Sequence, residues 1–257
     1  MTRSHRTAIV AGALCLVNAC AGSGRAGPAL QERVWPVYLG HASRAGGPDT
    51  LTSNPQPVWR TSVARGISGA PALAEDVIAL SLVDNRLALL DRPTGAVIWT
   101  RRLAAPLGAG PLIADDRLFV AEQQLGGRVY AIRLLNGSTI WSAKAGDVAA
   151  PLALADSALY LATTEGRVGR LSASTGAWLW HGRVSGAVRA TPVVVPAGLV
   201  VATQMDSLFL LDALTGAVRV RRGTRGTVLA APAWTDSSIV IGTSAGRLEA
   251  LDAATLQ

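Results

Sequence analysis

Four stretches decide the fold: LLDRPTGAVIW (Leu89–Trp99), AIRLLNGSTIW (Ala131–Trp141), RLSASTGAWLW (Arg170–Trp180) and LLDALTGAVRV (Leu210–Val220). Their glycines, Gly95, Gly137, Gly176 and Gly216, step by 42, 39 and 40 residues. The tryptophans follow the same beat. Trp59, Trp99, Trp141 and Trp180 step by 40, 42 and 39, and Val220 continues the series. Five prolines, Pro71, Pro111, Pro151, Pro192 and Pro232, step by 40, 40, 41 and 40. Three residue types with different chemistry share one period, and a period of this length marks a repeat architecture.

Within one repeat the texture is β. Residues 69–73 begin a strand, with Pro71 at a position where no ladder donor is lost. Val77–Val83 is an apolar run, Asp84-Asn85 is a two-residue hairpin signal, and Arg86–Asp91 is a third strand. Arg92-Pro-Thr-Gly95 is a turn in which Gly supplies positive φ, and Ala96–Leu103 is a fourth strand. No sustained 3.6-residue apolar period occurs beyond the N-terminal stretch. Four antiparallel strands in about 40 residues, repeated, is the arithmetic of a β-propeller blade. The expected fold is therefore all-β, with about five blades. Blades stacked face to face bury both sides of each sheet, which explains continuous apolar runs in place of clean alternation.

The A/L-x-D-x-x-T-G-x-x-x-W strings resemble the quinoprotein-type (PQQ-like) repeat with its tryptophan-docking motif. The resemblance implies that each Trp lies on an outer strand and packs on the neighbouring blade's turn. Trp59, Trp99, Trp141 and Trp180, with Gly95, Gly137, Gly176 and Gly216, are thus expected to form the structural docking motif. Asp91, Asp212 and Asp252 are expected to accept backbone N–H bonds inside their turns. Arg133 and Ser172 stand where that Asp would be. Residues 35–46 resemble the lead-in segment of PQQ-like propellers, so the resemblance runs from 35 to 257. Residues 57–63 match only an outer strand, and 231–252 only the first three strands of a last repeat. Two arrangements follow: a small closed ring in which the N-terminal strand completes the last sheet, or an arc of a larger propeller whose pattern would continue beyond Gln257.

The N-terminus reads as an address. Arg3 and Arg6 precede an apolar run, Thr7–Val17, of signal-peptide length. Val17-Asn18-Ala19-Cys20 resembles a bacterial lipobox, so residues 1–19 are expected to be a signal peptide with Cys20 lipidated. Residues 20–34 form a Gly/Ala/Ser-rich tether, 35–56 the lead-in, and 57–257 the propeller repeats. Cleavage lowers the formal charge from +7 to +5, because residues 1–19 hold Arg3 and Arg6 and no acid. The G-x-G-x-x-G at Gly22, Gly24 and Gly27 lies in the tether and lacks the strand–helix setting that dinucleotide binding needs.

Chemistry-bearing motifs are sparse. The two cysteines, Cys15 and Cys20, both lie near the N-terminus, which excludes a disulfide framework or a Cys-based zinc site in the body. No nucleophile elbow, zincin motif or P-loop is present. His41 and His181 read as solvent-facing, and Trp178 and Trp234 as packing, with Trp234 placed on an inner strand. Of 24 basic residues only Lys144 is lysine, and Arg219–Arg225 reads as a solvated strand and loop. Quinone-dependent dehydrogenases share this repeat, but no local oxygen-ligand cluster suits Ca²⁺. The leading expectation is a non-enzymatic, lipid-anchored scaffold without cofactor or metal. It would bind other envelope proteins and no nucleic acid, facing the periplasm from the outer membrane. Lipobox, tether and repeats together are similar to the propeller lipoprotein of the β-barrel assembly machinery for outer-membrane proteins. The alternatives are a sensor that binds a small molecule or polymer in the channel, and a fragment of a PQQ-dependent dehydrogenase.

Overall fold

Each repeat folds into its own small antiparallel sheet, because its turns reverse the chain every five or six residues. The computed structural model describes residues 56–63, 66–235 and 237–257. The lipobox with Cys20, the tether, residues 35–55 of the lead-in and His41 lie outside them. The first sheet holds β1 (Ala72–Leu73), β2 (Val77–Ser81), β3 (Arg86–Asp91) and β4 (Val97–Arg102), in that spatial order. The second holds β5 (Leu112–Ala114), β6 (Arg117–Ala121), β7 (Arg128–Arg133) and β8 (Thr139–Lys144). The third holds β9 (Ala153–Ala155), β10 (Ala158–Ala162), β11 (Arg167–Ser172) and β12 (Trp178–Arg183). The fourth holds β13 (Val193–Val195), β14 (Gly198–Thr203), β15 (Ser207–Leu211) and β16 (Val218–Gly223). The last is three-stranded: β17 (Ala233–Thr235), β18 (Ser238–Gly242) and β19 (Leu248–Asp252). The fold is an all-β propeller, and no helix occurs among the described residues.

The core lies between sheets rather than within a single centre. Leu87 and Leu89 of β3 meet Leu118 and Val120 of β6 in one cluster. Phe119 and Ala131 meet Leu159 and Leu161 in the next. Tyr160 and Val168 meet Val201 and Phe209, and Val200 and Leu208 meet Ile239 and Leu251. Every residue of β10 and β15 is buried, as strands covered on both faces must be. Inner strands lie against inner strands, β1 on β5, β9 on β13 and β13 on β17. The approach there is backbone to backbone: a Cβ on Gly69 would sit 2.4 Å from the Gly110 nitrogen.

All four outer strands carry a β-bulge at the same place. Leu89 pairs with Trp99 but Leu90 with Val97, so Ile98 is left over. Ile140, Leu179 and Arg219 are the extra residues in β8, β12 and β16. The extra residue bends the strand directly before the docking position, a usual effect of a bulge.

The propeller is an open arc, which corrects the closed small ring. β19 has no fourth strand among the described residues, and Leu248 on it is 80% exposed. Residues 56–63 lie instead against the far face of the first sheet. There Val63 packs on the cluster of Leu80, Leu82, Ala88 and Leu90. An outer-strand sequence thus covers the first sheet without pairing to the last.

Candidate functional site

The repeated feature of the chain is the joint between sheets. The Trp59 Nε1–H donates to the Arg92 carbonyl at 2.8 Å, and the Trp99 Nε1–H to the Leu134 carbonyl at 2.8 Å. The Trp141 Nε1–H donates to the Ala173 carbonyl at 3.0 Å, and the Trp180 Nε1–H to the Ala213 carbonyl at 2.9 Å. Each acceptor stands three residues before a turn glycine, and the indole lies on that glycine. A Cβ on Gly95, Gly176 or Gly216 would come within 2.4, 2.4 and 2.5 Å of Trp59, Trp141 and Trp180, and one on Gly137 within 3.2 Å of Trp99. The same glycines have φ of 73, 69, 73 and 77° in chain order, so each serves both the turn and the close approach. Burying even half of an indole's roughly 200 Å² is worth about 2.5 kcal/mol, and the N–H bond adds about 1 kcal/mol.

Two residues beyond the docking position a second bond often forms. The Thr61 hydroxyl donates to the Gly95 carbonyl at 2.6 Å, and the Arg101 guanidinium donates to the Gly137 carbonyl. The Arg222 guanidinium donates to the Leu256 carbonyl at 2.7 Å and reaches Glu249 at 3.1 Å. Leu256 is four residues after Asp252, as Gly95 is four after Asp91. It occupies the turn-glycine position, with φ of 56°. Sequence reading noted Val220 in the Trp series but missed this counterpart. The two exchanges compensate: where the indole shrinks to valine, the glycine grows to a leucine that is 1% exposed in the same cluster.

Carboxylates staple three of the turns. Asp91 Oδ1 accepts from the Thr94 N–H at 2.9 Å. Asp212 Oδ1 accepts from the Leu214 and Thr215 N–H groups at 2.9 and 2.8 Å, and Asp252 Oδ1 from Ala254 and Thr255 at 3.0 and 2.8 Å. In the Ser172 turn, Ser172 Oγ accepts from Thr175 N–H at 3.3 Å. The Arg133 turn uses Asn136, whose Oδ1 accepts from Ser138 N–H at 3.0 Å.

The remaining candidates are packed or tied into the fold. Trp178 lies over Gly169, where a Cβ would be 2.3 Å from its ring, and meets His181 edge-on at 5.7 Å. His181 is exposed, on strand β12 rather than in a loop. Trp234 packs against the last inter-sheet cluster. Arg219 pairs with Asp212, and the Arg221 guanidinium lies 5.6 Å over the Phe209 ring. This stretch, read as solvated, is partly structural. A cleft of about 400 Å³ opens beside the third joint, lined by Asp115, Asp116, Arg117, Phe119, Leu154 and Asp156 among others. Arg117 crosses it to the Ala173 carbonyl at 2.9 Å, the acceptor that Trp141 also uses. Among the described residues no group of three or more His, Cys, Asp or Glu side chains could hold a metal ion.

Sheets rotated about a common axis and clamped by Trp-on-Gly joints define a PQQ-like β-propeller. A sequence model of the family described as outer membrane protein assembly factor BamB matches residues 52–146 and 125–255, and the chain belongs to that family. The chain is 29% identical over 124 residues to the outer membrane protein assembly factor BamB of Legionella pneumophila (strain Paris), covering 44% of this chain and 32% of that relative. It is 27% identical over 128 residues to the protein of the same name from Burkholderia pseudomallei (strain K96243), covering 49% and 33%. The matches thus span about a third of each curated relative. The solved BamB from Moraxella catarrhalis superposes with a TM-score of 0.68 at 24% identity, over 78% of this chain and 62% of its own. The quinohemoprotein alcohol dehydrogenase from Comamonas testosteroni superposes with a TM-score of 0.75 at 12% identity, over 88% and 48%. The fold therefore also occurs in an enzyme.

Two predictions follow from the joints. Val220→Trp alone overfills the fifth joint, costing about 1–3 kcal/mol. Leu256→Gly alone relieves a left-handed backbone but empties a buried site, for a net loss of about 1–3 kcal/mol. The double variant rebuilds an indole over a glycine, so denaturant titration of all four forms should give a favourable coupling of at least ~1 kcal/mol. Additivity within about 0.5 kcal/mol would refute the pairing. The second concerns acid. The Thr215 N–H and hydroxyl, then the Leu214 N–H and Arg219, hold the Asp212 carboxyl down at about 2 from its usual 3.8. Its stabilisation is present in full above about pH 4 and is lost as pH falls toward 2. The Asp212→Asn variant should show a shallower loss of stability over that interval, and an unchanged acid limb would contradict the staple.

Proposed function

We propose that this chain is a non-catalytic propeller scaffold, lipid-anchored through Cys20, that supports assembly of outer-membrane proteins at the bacterial envelope. The observation that carries the reading is the family match across the clamped repeats, residues 52–255. The tryptophans of the described residues are spent on joints and inter-sheet packing. What remains for partners is loop surface at the two ends of the arc, as expected of a protein that positions other proteins. Residues 1–19 would direct export and 20–34 would tether the propeller. Docking residues Trp59, Trp99, Trp141 and Trp180, with their glycines, would keep those loops in fixed relative positions. The partners would be other envelope proteins, the β-barrel assembly machinery foremost.

Deleting the gene should lower porin levels in the outer membrane and sensitise cells to large antibiotics. A plasmid copy should restore both, and a Cys20→Ser copy should restore them poorly while its product is released from membranes by high salt. Normal porin levels in the deletion strain would overturn the assembly role. Full membrane association of the Cys20→Ser protein that survives a high-salt wash would overturn the anchor.

A further inference from the structure

Three successive sheets place two cations directly opposite each other at the same register position. Arg86 pairs with Arg102, Arg128 with Lys144, and Arg167 with Arg183. Like charges facing across strands are mildly destabilising, so chance packing does not favour their recurrence. The chain's single lysine occupies one of these positions, so what repeats is charge rather than the guanidinium group. Among the described residues only Arg86 of the six has an ion-pair partner, Asp84 at 3.3 Å. Arg102, Lys144 and Arg183, on the outermost strands, are exposed.

Strand direction puts all six at one end of the arc. The third strand of each sheet begins there and the fourth ends there, beside the central hairpins. Val83, Leu125 and Met205 stand in those hairpins, 58, 78 and 63% exposed. Most acids at this end are engaged or turned inward, while Glu165 in the third hairpin is exposed. Glu122 is buried, accepting from the Tyr130 hydroxyl and the Arg128 N–H, both at 3.0 Å. Asp147 holds Thr164 and Asp206 holds Thr227. The opposite end carries the turn acids Asp91, Asp115, Asp116, Asp156, Asp212 and Asp252, offset in part by Arg117 and Arg133 on Asp116 and Arg219 on Asp212. The protein is therefore polarised along the propeller axis.

We propose that the hairpin end rests on an anionic lipid bilayer surface. Rotation about one axis brings equivalent residues of successive sheets to the same height, so the cations and apolar tips lie close to one plane. A laterally uniform sheet of headgroup phosphates meets such a repeat at each of the three sheets that carry a facing pair. Cations flanking exposed apolar tips is also the composition of interfacial membrane binding. The acidic end then faces away from the negative surface. This contact goes beyond the assembly role and stands or falls separately from it.

The test is flotation of the full chain with vesicles of phosphatidylcholine alone, or with 30% phosphatidylglycerol. The readout is the comparison between the chain and a variant that shares its leader, because Arg3 and Arg6 of the leader also favour anionic vesicles. The expected result is binding that rises with phosphatidylglycerol and is lost at high salt. Each basic residue near such a surface is worth about fivefold in partitioning. The variant Arg102→Gln/Lys144→Gln/Arg183→Gln should therefore bind on the order of a hundredfold more weakly, with unchanged thermal unfolding. Leu125→Ser should weaken binding by about tenfold while keeping the salt dependence. Equal binding to both vesicles, or an undiminished triple variant, would overturn the proposal. Capture by soluble polyglutamate with no vesicle binding would also overturn it, and would assign the face to an acidic protein.

Discussion

The structure depends on an indole laid over a glycine. A four-stranded sheet of this size has two apolar faces and cannot stand alone, so each sheet must be held against the next. The Trp on an outer strand does this by combining apolar area with one N–H aimed at a turn carbonyl. The turn can receive it only because the residue beneath has no Cβ. Four joints use this pair, with indole bonds of 2.8–3.0 Å. The fifth keeps the geometry with the sizes exchanged, Val220 against Leu256, and keeps the Arg222 bond to the turn carbonyl. What the joint demands is a filled volume and a satisfied turn, and the residue types can change if they change together.

That logic explains which features were legible in the sequence. The 40-residue period could be read because Trp, Gly and Pro recur for separate reasons: interface area, positive φ and strand entry. The Asp staples were legible at Asp91, Asp212 and Asp252, since a carboxylate at a turn start has few other uses. Leu256 was hidden because leucine is not a residue expected at positive φ. Its one signal was the four-residue spacing from Asp252. The bulges at Ile98, Ile140, Leu179 and Arg219 left no trace in composition, because an extra residue in a strand looks like any other. Arg222 and Arg219 read as solvated charge, yet both reach backbone carbonyls across turns. The closed ring failed because strand pairing between distant segments cannot be deduced from either segment alone.

Function was legible at the level of family and no finer. Motif inspection found no chemistry in the body of the chain, and the described residues put the large aromatic side chains into packing. The same fold in a quinohemoprotein dehydrogenase shows that sheets and joints do not specify an activity. What distinguishes one propeller from another is the surface at its two ends. Polarity between those ends emerges only when strand direction is known, because the facing cations lie about 16 residues apart in the chain, at opposite ends of a hairpin.

The central claim is that inter-sheet indole bonds hold the arc together as one cooperative body. Hydrogen exchange at the indole Nε1–H groups tests it directly, with each tryptophan assigned by nitrogen-15 labelling and single replacement. Trp99, Trp141 and Trp180 should exchange slowly, at the rate of the buried amides of β6, β10 and β14, while the Nε1–H of Trp178, which has no acceptor among the described residues, exchanges fast. Free-indole rates at the three docking positions, with those amides still protected, would contradict the account.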